Sequence, residues 1–264
     1  MSDEPGTPSP TSSTGGSPAA APAGSSHTTA AVIPAAGRGV RLGPGAPKAL
    51  RALNGTPMLV HAVRAMAGSR AVSLVVVVAP PDGAAEVEAL LAGHSWPVGT
   101  ELLVVPGGDT RQESVRLGIG VLPESVTAVL VHDAARPLVP VETVDAVVAA
   151  VRNGAPAVVP ALPLADTVKQ VEPRADGAPE PVVATPERAL LRAVQTPQGF
   201  DRALLARAHA TVTHDVTDDA SMVEQLGVRV VVVPGHEEAF KVTRPLDLVL
   251  AEAVLARRRI NSGF

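Results

Sequence analysis

Residues 73–79 read Ser-Leu-Val-Val-Val-Val-Ala, with Val75–Val78 uninterrupted. Successive strand side chains point to opposite faces, so a strand carrying this run must be buried on both. Such a strand needs helices above and below its sheet. From residue 29 onward the chain supplies them. Ala31–Pro34, Glu101–Val105, Val126–Val131 and Ala157–Ala161 read as further strands. Thr56 as N-cap and Pro57 in the first turn open a helix through Ala67, ended near Gly68. Ala84–Ala92 is a second helix. Asp109 with Gln112 resembles a capping box opening a third through about Leu122. Val141–Arg152 is a fourth, closed by Asn153-Gly154. This βαβα succession predicts an α/β fold with a mostly parallel sheet, whose ligands sit beyond the carboxyl ends of the strands.

The alternation breaks between Pro163 and Pro186. Thr167–Val171 and Pro181–Ala184 are short strand-like runs flanking the polar, proline-rich Glu172–Glu180. They predict a projecting β-hairpin arm, which is marginal in water unless it packs on something. Beyond it, Asp201–His209 and Asp219–Leu226 read as helices, Val228–Val233 as a strand and Pro245–Arg258 as a closing amphipathic helix. Asp218 and Asp219 open the second of these helices, where negative charge meets the positive end of the dipole.

Composition narrows the function. The chain has 264 residues, 46% of them hydrophobic but only 2% aromatic, so Val, Leu and Ala must fill the core. A net charge of −4 offers no electrostatic case for nucleic acid, and local cations must attract any phosphate ligand. With no cysteine, disulfides, thiolate metal sites and cysteine nucleophiles are excluded. The seven histidines lack the HExxH spacing of a zinc protease. No apolar run approaches the ~20 residues of a membrane helix. Pro, Ser, Thr, Gly and Ala fill residues 1–28 except for Met1, Asp3, Glu4 and His27. This segment has no apolar face to offset the entropy of ordering, so it is expected to be a disordered tail preceding a domain at 29–264. It lacks the basic start and apolar stretch of a signal peptide, and a cytoplasmic location is expected.

The chemistry concentrates at the end of the first strand, in Val32-Ile33-Pro34-Ala35-Ala36-Gly37-Arg38-Gly39-Val40-Arg41-Leu42, followed by Pro47-Lys48. Glycines let a backbone approach a ligand, and N–H groups in such a turn cradle phosphate oxygens. Gly37-x-Gly39-x-x-x-Gly43 lacks the GxGxxG spacing of a dinucleotide fold, and Ala49 after Lys48 rules out a Walker loop. A bare Gly/Ala turn is also a common tight connection. The loop resembles the PxAGxGxR…PK segment of nucleotidyltransferases acting on sugar and polyol phosphates. Gly107-Gly108-Asp109 with Ser114, His132-Asp133-Ala134-Ala135-Arg136-Pro137, Gln195-Thr196-Pro197-Gln198, Thr217-Asp218-Asp219-Ala220-Ser221 and Lys241-Val242-Thr243-Arg244-Pro245 follow in order. Together they resemble the 2-C-methyl-D-erythritol 4-phosphate cytidylyltransferase family over about residues 29–260.

That resemblance implies a single Rossmann-like nucleotidyltransferase domain and CMP transfer from CTP to the polyol phosphate. It implies nucleotide binding by Pro34, Ala35, Ala36, Gly37 and Gly39, with Gly108, Asp109 and Ser114 at the cytosine. Arg41 and Lys48 would stabilise the transition state. Asp133 would contact Mg²⁺ or the ribose, in preference to the other use open to it, capping the turn that follows. Mg²⁺ takes one or two carboxylates plus substrate phosphates, so no ligand cluster need be visible. Arg136, Thr167, Arg188, Thr196 and Lys241 would surround the acceptor, Arg188 and Lys241 holding its phosphate. Thr196-Pro197 is equally a structural turn, Asp109 equally an N-cap, and His132 a packing residue. The resemblance further implies a homodimer in which Thr167 and Arg188 come from the partner's arm. Ala49-Leu50 replace the Gln and aromatic residue frequent after Pro-Lys, and Leu42 replaces Met; neither removes a charge. A ribitol-5-phosphate cytidylyltransferase would share loop, fold and metal. A silent nucleotide-binding module would not need Arg41, Lys48, Asp133 and Lys241 together.

Overall fold

The computed structural model describes Met1 and residues 28–37, 47–175, 177–214 and 216–261. The tail expected at 1–28 thus lies almost wholly outside the described residues. Strand β1 (Thr28–Pro34) is followed by the two-residue strands β2 (Ala52–Leu53) and β3 (Thr56–Pro57) and by α1 (Met58–Ala67). Next come β4 (Val72–Ala79), α2 (Ala84–Ala92), β5 (Glu101–Pro106), α3 (Arg111–Gly120), β6 (Val126–Val131), α4 (Val141–Arg152) and β7 (Ala157–Pro163). The arm carries β8 (Gln170–Val171) and β9 (Val182–Ala184). The chain finishes with β10 (Arg192–Val194), β11 (Gln198–Asp201), α5 (Arg202–Thr211), α6 (Asp219–Gln225), β12 (Val231–Pro234) and α7 (Pro245–Asn261).

The central sheet runs β10-β7-β11-β6-β1-β4-β5, with β12 alongside β7. β6, β1, β4 and β5 are parallel neighbours, and β12 is parallel to β7. β10 and β11 run against their neighbours, so the sheet is mixed but mostly parallel. The valine run behaves as its pattern demands. Val75 and Val77 join a cluster with Leu59, Met66, Val144 and Val147 of α1 and α4. Val76 and Val78 join the opposite one, with Val115 of α3, Leu205 of α5 and Val223 of α6. All four valines are fully buried, and each contributes about 1.5–3 kcal/mol relative to exposure. A third, smaller cluster (Leu53, Met58, Leu138, Val242, Ala251) lies under α7.

Several local expectations shift. Thr56 does not cap α1; it pairs in β3 with Leu53, and Pro57 takes the N-cap position without a side-chain bond. Thr110, not Asp109, caps α3, its hydroxyl accepting from the Glu113 N–H at 3.0 Å, while Glu113 accepts from the Asp109 N–H. The strand expected from Val228 begins at Val231, and α7 continues to Asn261. β10 and β11 are additions to the predicted set. In the arm only Gln170–Val171 of the first run pairs, with β9.

Candidate active site

The site forms where the sheet's parallel strands end. Val32 of β1 lies opposite Val131 of β6, and the His132 N–H donates to the Val32 carbonyl at 2.9 Å. This register sets the turn after β6 beside the loop after β1. β5 brings Gly107–Asp109 to the same edge across β4, the Gly107 N–H donating to the Ala79 carbonyl at 2.8 Å. Two glycines make the approach possible. A Cβ on Gly118 would stand 2.6 Å from a Val32 methyl, so α3 lies unusually close to the sheet. A Cβ on Gly107 would stand 2.8 Å from the Ser114 hydroxyl, which accepts from the Gly108 N–H at 3.2 Å.

A cleft of about 270 Å³ results. Pro34, Ala35, Ala36 and Gly37 form one wall with Lys48, and Gly108, Asp109, Thr110, Arg111 and Ser114 form another. Asp133, Ala134, Ala135, Lys241 and Thr243 close it. Of the sequence-derived residues, the cleft therefore gathers Pro34–Gly37, Lys48, Gly108, Asp109, Ser114, Asp133 and Lys241. Gly39 and Arg41 lie outside the described residues.

The others stand elsewhere. Arg136 is turned away from the cleft, donating to the Ala239 carbonyl at 2.7 Å and the Val194 carbonyl at 3.3 Å. Thr196, 5% exposed, lies behind the turn. Its hydroxyl accepts from the Asp133 N–H at 3.1 Å and stands 3.0 Å from His132 Nδ1. Thr167 and Arg188 sit exposed on the arm and do not line the cleft; Arg188 donates to the Ala165 carbonyl.

Asp133 is the electrostatic centre. Its Oδ2 is 2.7 Å from Lys241 Nζ and 4.0 Å from Arg136 Nε; its Oδ1 is 3.4 Å from Arg111 Nε. Burial pushes its carboxyl up, but Arg111, Lys241 and Arg136 outweigh burial and hold it well below the usual range. Burial also opposes the charge on Arg111, yet Asp219 and Asp133 raise that guanidinium above its ordinary value. Lys241 is delivered by its neighbour: the Val242 N–H donates to the Ala135 carbonyl at 2.8 Å. Asp247 then accepts from the Thr243 and Arg244 N–H groups, both at 2.7 Å, and fixes the start of α7.

His132 is fully buried, and burial lowers its pKa to about 4. Its Nε2 faces the Arg136 carbonyl at 3.1 Å, which only accepts, so Nε2 carries the proton. Nδ1 therefore accepts from Thr196, whose own oxygen takes the Asp133 N–H. The chain of bonds holds the turn rather than the substrate. The Gln195–Gln198 motif is a clasp of the same kind. Gln195 exchanges hydrogen bonds with the His236 carbonyl and N–H at 2.9 and 3.0 Å. Gln198 donates to Asp218 at 2.7 Å and accepts from the Ala220 N–H at 3.1 Å.

Arg111 is the functional candidate that sequence reasoning misses. One signal was available: it is the first residue of α3, where a cation opposes the helix dipole and needs a compensating partner. Among the described residues no three His, Cys, Asp or Glu side chains converge, so a divalent cation would rest on Asp133 and ligand phosphates. An ionised carboxylate on the cleft wall fits that use. A second depression, of about 540 Å³, lies against α1 and α7. Its Arg258 is paired with Glu238, and of the strand-end motifs it meets Pro137 but none of the charged site residues.

A protein of Streptomyces avermitilis named 2-C-methyl-D-erythritol 4-phosphate cytidylyltransferase is 80% identical over 92% of this chain and 98% of its own length. Its namesake from Streptomyces coelicolor is 82% identical over 89% of this chain and 88% of its own. The crystal structure of 4-diphosphocytidyl-2C-methyl-D-erythritol synthase from Anaerococcus prevotii superposes with a TM-score of 0.74 at 26% identity, covering 88% of this chain and 99% of that one. The sequence model of the family matches residues 29–257, and the chain belongs to the 2-C-methyl-D-erythritol 4-phosphate cytidylyltransferases.

Proposed function

We propose that the cleft between the Pro34–Gly37 loop, Lys48, Asp133 and Lys241 is where the family's reaction takes place. In that reaction CMP passes from CTP to 2-C-methyl-D-erythritol 4-phosphate, a step of isoprenoid precursor supply. An acceptor phosphate oxygen forms a bond to the α-phosphorus, and the bond to the bridging oxygen breaks, releasing pyrophosphate. The attacking oxygen is already ionised, so the residues must offset repulsion and growing charge rather than generate a nucleophile. Lys48 and Arg41 are assigned to the triphosphate. The backbone of Pro34–Gly37 lines its path. Gly108, Asp109 and Ser114 form the wall assigned to cytosine, and Lys241 the acceptor-phosphate contact.

Nucleotidyltransferases generally work with a divalent metal; here we assign Mg²⁺, held by Asp133 and the nucleotide, where it would neutralise phosphate charge. Lys241 and Asp133 form an ion pair at 2.7 Å, so each holds the other in place at the cleft wall. The reaction is placed in the cytoplasm, where CTP and phosphorylated acceptors are found. The observation that carries the reading is the convergence of separated motifs on one cleft at the strand ends.

The acceptor side is completed, in this reading, by a second copy. Val182 and Val183 on the arm and Leu190 just beyond it are 56%, 55% and 76% exposed, apolar surface that the chain alone does not bury. Thr167 and Arg188 would then serve the partner's cleft. Mixing inactive Lys48→Ala and Arg188→Ala proteins tests this. Random subunit exchange should restore about a quarter of parental pyrophosphate release, because one site of each mixed dimer collects both defects and the other none. No recovery despite mixed dimers would mean that the arm serves its own chain. Equal turnover with ribitol 5-phosphate and the erythritol acceptor would refute the acceptor assignment.

A further inference from the structure

Arg111 stands at the positive end of α3, where a guanidinium is disfavoured, and two carboxylates hold it there. Its Nη1 is 2.8 Å from Asp219 Oδ2, a close ion pair whose angle falls outside a hydrogen bond, and its Nε donates to Asp133 Oδ1 at 3.4 Å. Asp219 is 1% exposed at the start of α6, and its Oδ1 lies 3.0 Å from Nε2 of His209 on α5. A charged carboxylate only accepts, so that imidazole nitrogen carries the proton. The other, Nδ1, is buried with no hydrogen-bond partner among the described residues. Leaving a buried polar atom unpaired is costly, and a leucine there would avoid the cost. The compensation visible in the structure is the Nε2–H bond to Asp219. The chain therefore runs from the cleft into the core as Asp133, Arg111, Asp219, His209, joining the His132–Pro137 and Thr217–Ser221 strings through Arg111, which neither string contains.

We propose that Asp219, backed by His209, is a positioning residue: it draws Arg111 aside and so keeps the Asp133 carboxylate open to the divalent cation that accompanies CTP. The proposal rests on Asp133 being the metal-holding residue. Three cations already approach Asp133 within 4.0 Å, and a metal must compete with each. Lys241 is half exposed on the cleft wall and has an acceptor phosphate to turn to. Arg136 is tied to two carbonyls. Arg111 is fixed to the first turn of α3 and cannot leave, so its charge must be shared instead. Its shorter contact is to Asp219. With Asp219 neutral, Arg111 would keep only one carboxylate, and a two-pronged pair with Asp133 would be favoured.

The test uses the full chain with CTP, no acceptor and no turnover. Binding of Mn²⁺ to the enzyme–CTP complex is followed by the loss of the free-ion resonance, and metal-free CTP binding is measured by calorimetry. Asp219→Asn is expected to raise the Mn²⁺ concentration for half-saturation about tenfold, the scale of one close, partly buried ion pair. Metal-free CTP should bind this variant at least as tightly as the parent, because the cleft has lost a negative charge. General damage to the site would weaken both. His209→Leu, which removes only the donor, should weaken Mn²⁺ in the same sense, whereas His209→Gln, which retains a donor, should stay within about twofold. If Asp219→Asn fails to fold, the two His209 variants decide alone. Parental Mn²⁺ binding in Asp219→Asn and His209→Leu, or an equal loss of metal-free CTP, would overturn the positioning role. An Asp133→Asn control separates the two readings. Weakened Mn²⁺ binding there leaves the metal assignment standing when the positioning role fails; unchanged binding overturns the metal assignment and the positioning role together.

Discussion

His132 couples the active-site turn to pH, and the sign of the effect follows from its bonds. In the folded protein its Nδ1 accepts from Thr196, and protonation would turn that acceptor into a second donor facing a hydroxyl already engaged with the Asp133 N–H. Burial adds to this and lowers the pKa from 6.5 to about 4. The unfolded chain takes up the proton near 6.5 while the folded chain resists until about 4, so protons favour unfolding between those values. The stabilisation is complete above pH 6.5 and is lost as pH falls towards 4. In full it amounts to about 3 kcal/mol, from 1.36 kcal/mol per pKa unit. His61, also lowered by burial, adds loss of the same sign. Asp133 and Asp219 are depressed, and their contribution fades only as pH falls past their unfolded value of 3.8. A difference measurement isolates His132: urea unfolding of the parent and His132→Gln, which keeps one donor and one acceptor but does not titrate. Between pH 7 and 4.5 the parent should lose about 2–3 kcal/mol more than the variant. Parallel losses in the two proteins would refute both the tautomer and the burial argument.

Other outcomes follow from the same structure. Lys48→Ala and Arg41→Ala should each lower kcat by roughly 10²–10³-fold, read by pyrophosphate release; near-parental turnover would remove them as transition-state stabilisers. CTP should be strongly preferred over UTP in competition, since a site arranged around the exocyclic amine leaves polar groups unpaired when a carbonyl enters. Equal use would defeat the cytosine assignment of Gly108, Asp109 and Ser114. Thr196→Val should cost about 1–3 kcal/mol in urea unfolding for each group left unpaired, the Asp133 N–H and His132 Nδ1. A fully stable variant would mean that the clasp is not structural. Deleting residues 1–27 should leave melting temperature and kcat unchanged, and a fall in either would show that the tail docks on the domain.

How much of this was legible in the sequence depends on the range of the interactions. The valine run was legible because strand alternation is local, and it fixed both helix layers. β10 and β11 were not, because their three and four residues include a glycine and flank Pro197, and their pairing with β6 and β7 is purely tertiary. The start of α3 was ambiguous by one residue. Asp109 with Gln112 and Thr110 with Glu113 offer the same cap spacing, and only the three-dimensional position of Glu113 decides between them. Charged site residues divide in the same way. Lys48, Asp133 and Lys241 sit in short strings with their own signatures, whereas Arg111 gains its meaning from partners in the turn after β6 and on α6. The Asp218-Asp219 pair shows where local reasoning stops. Reading both as helix-opening residues accounts for Asp218, whose carboxylate accepts from the Ser221 N–H at 2.9 Å. Because Asp218 satisfies the cap, Asp219 is released to turn inward, and its buried charge is sustained by Arg111 and His209 rather than by the dipole. A carboxylate next to an occupied cap has lost its local reason to be there. In a core that costs so much to charge, this is itself a sign that a distant cation depends on it.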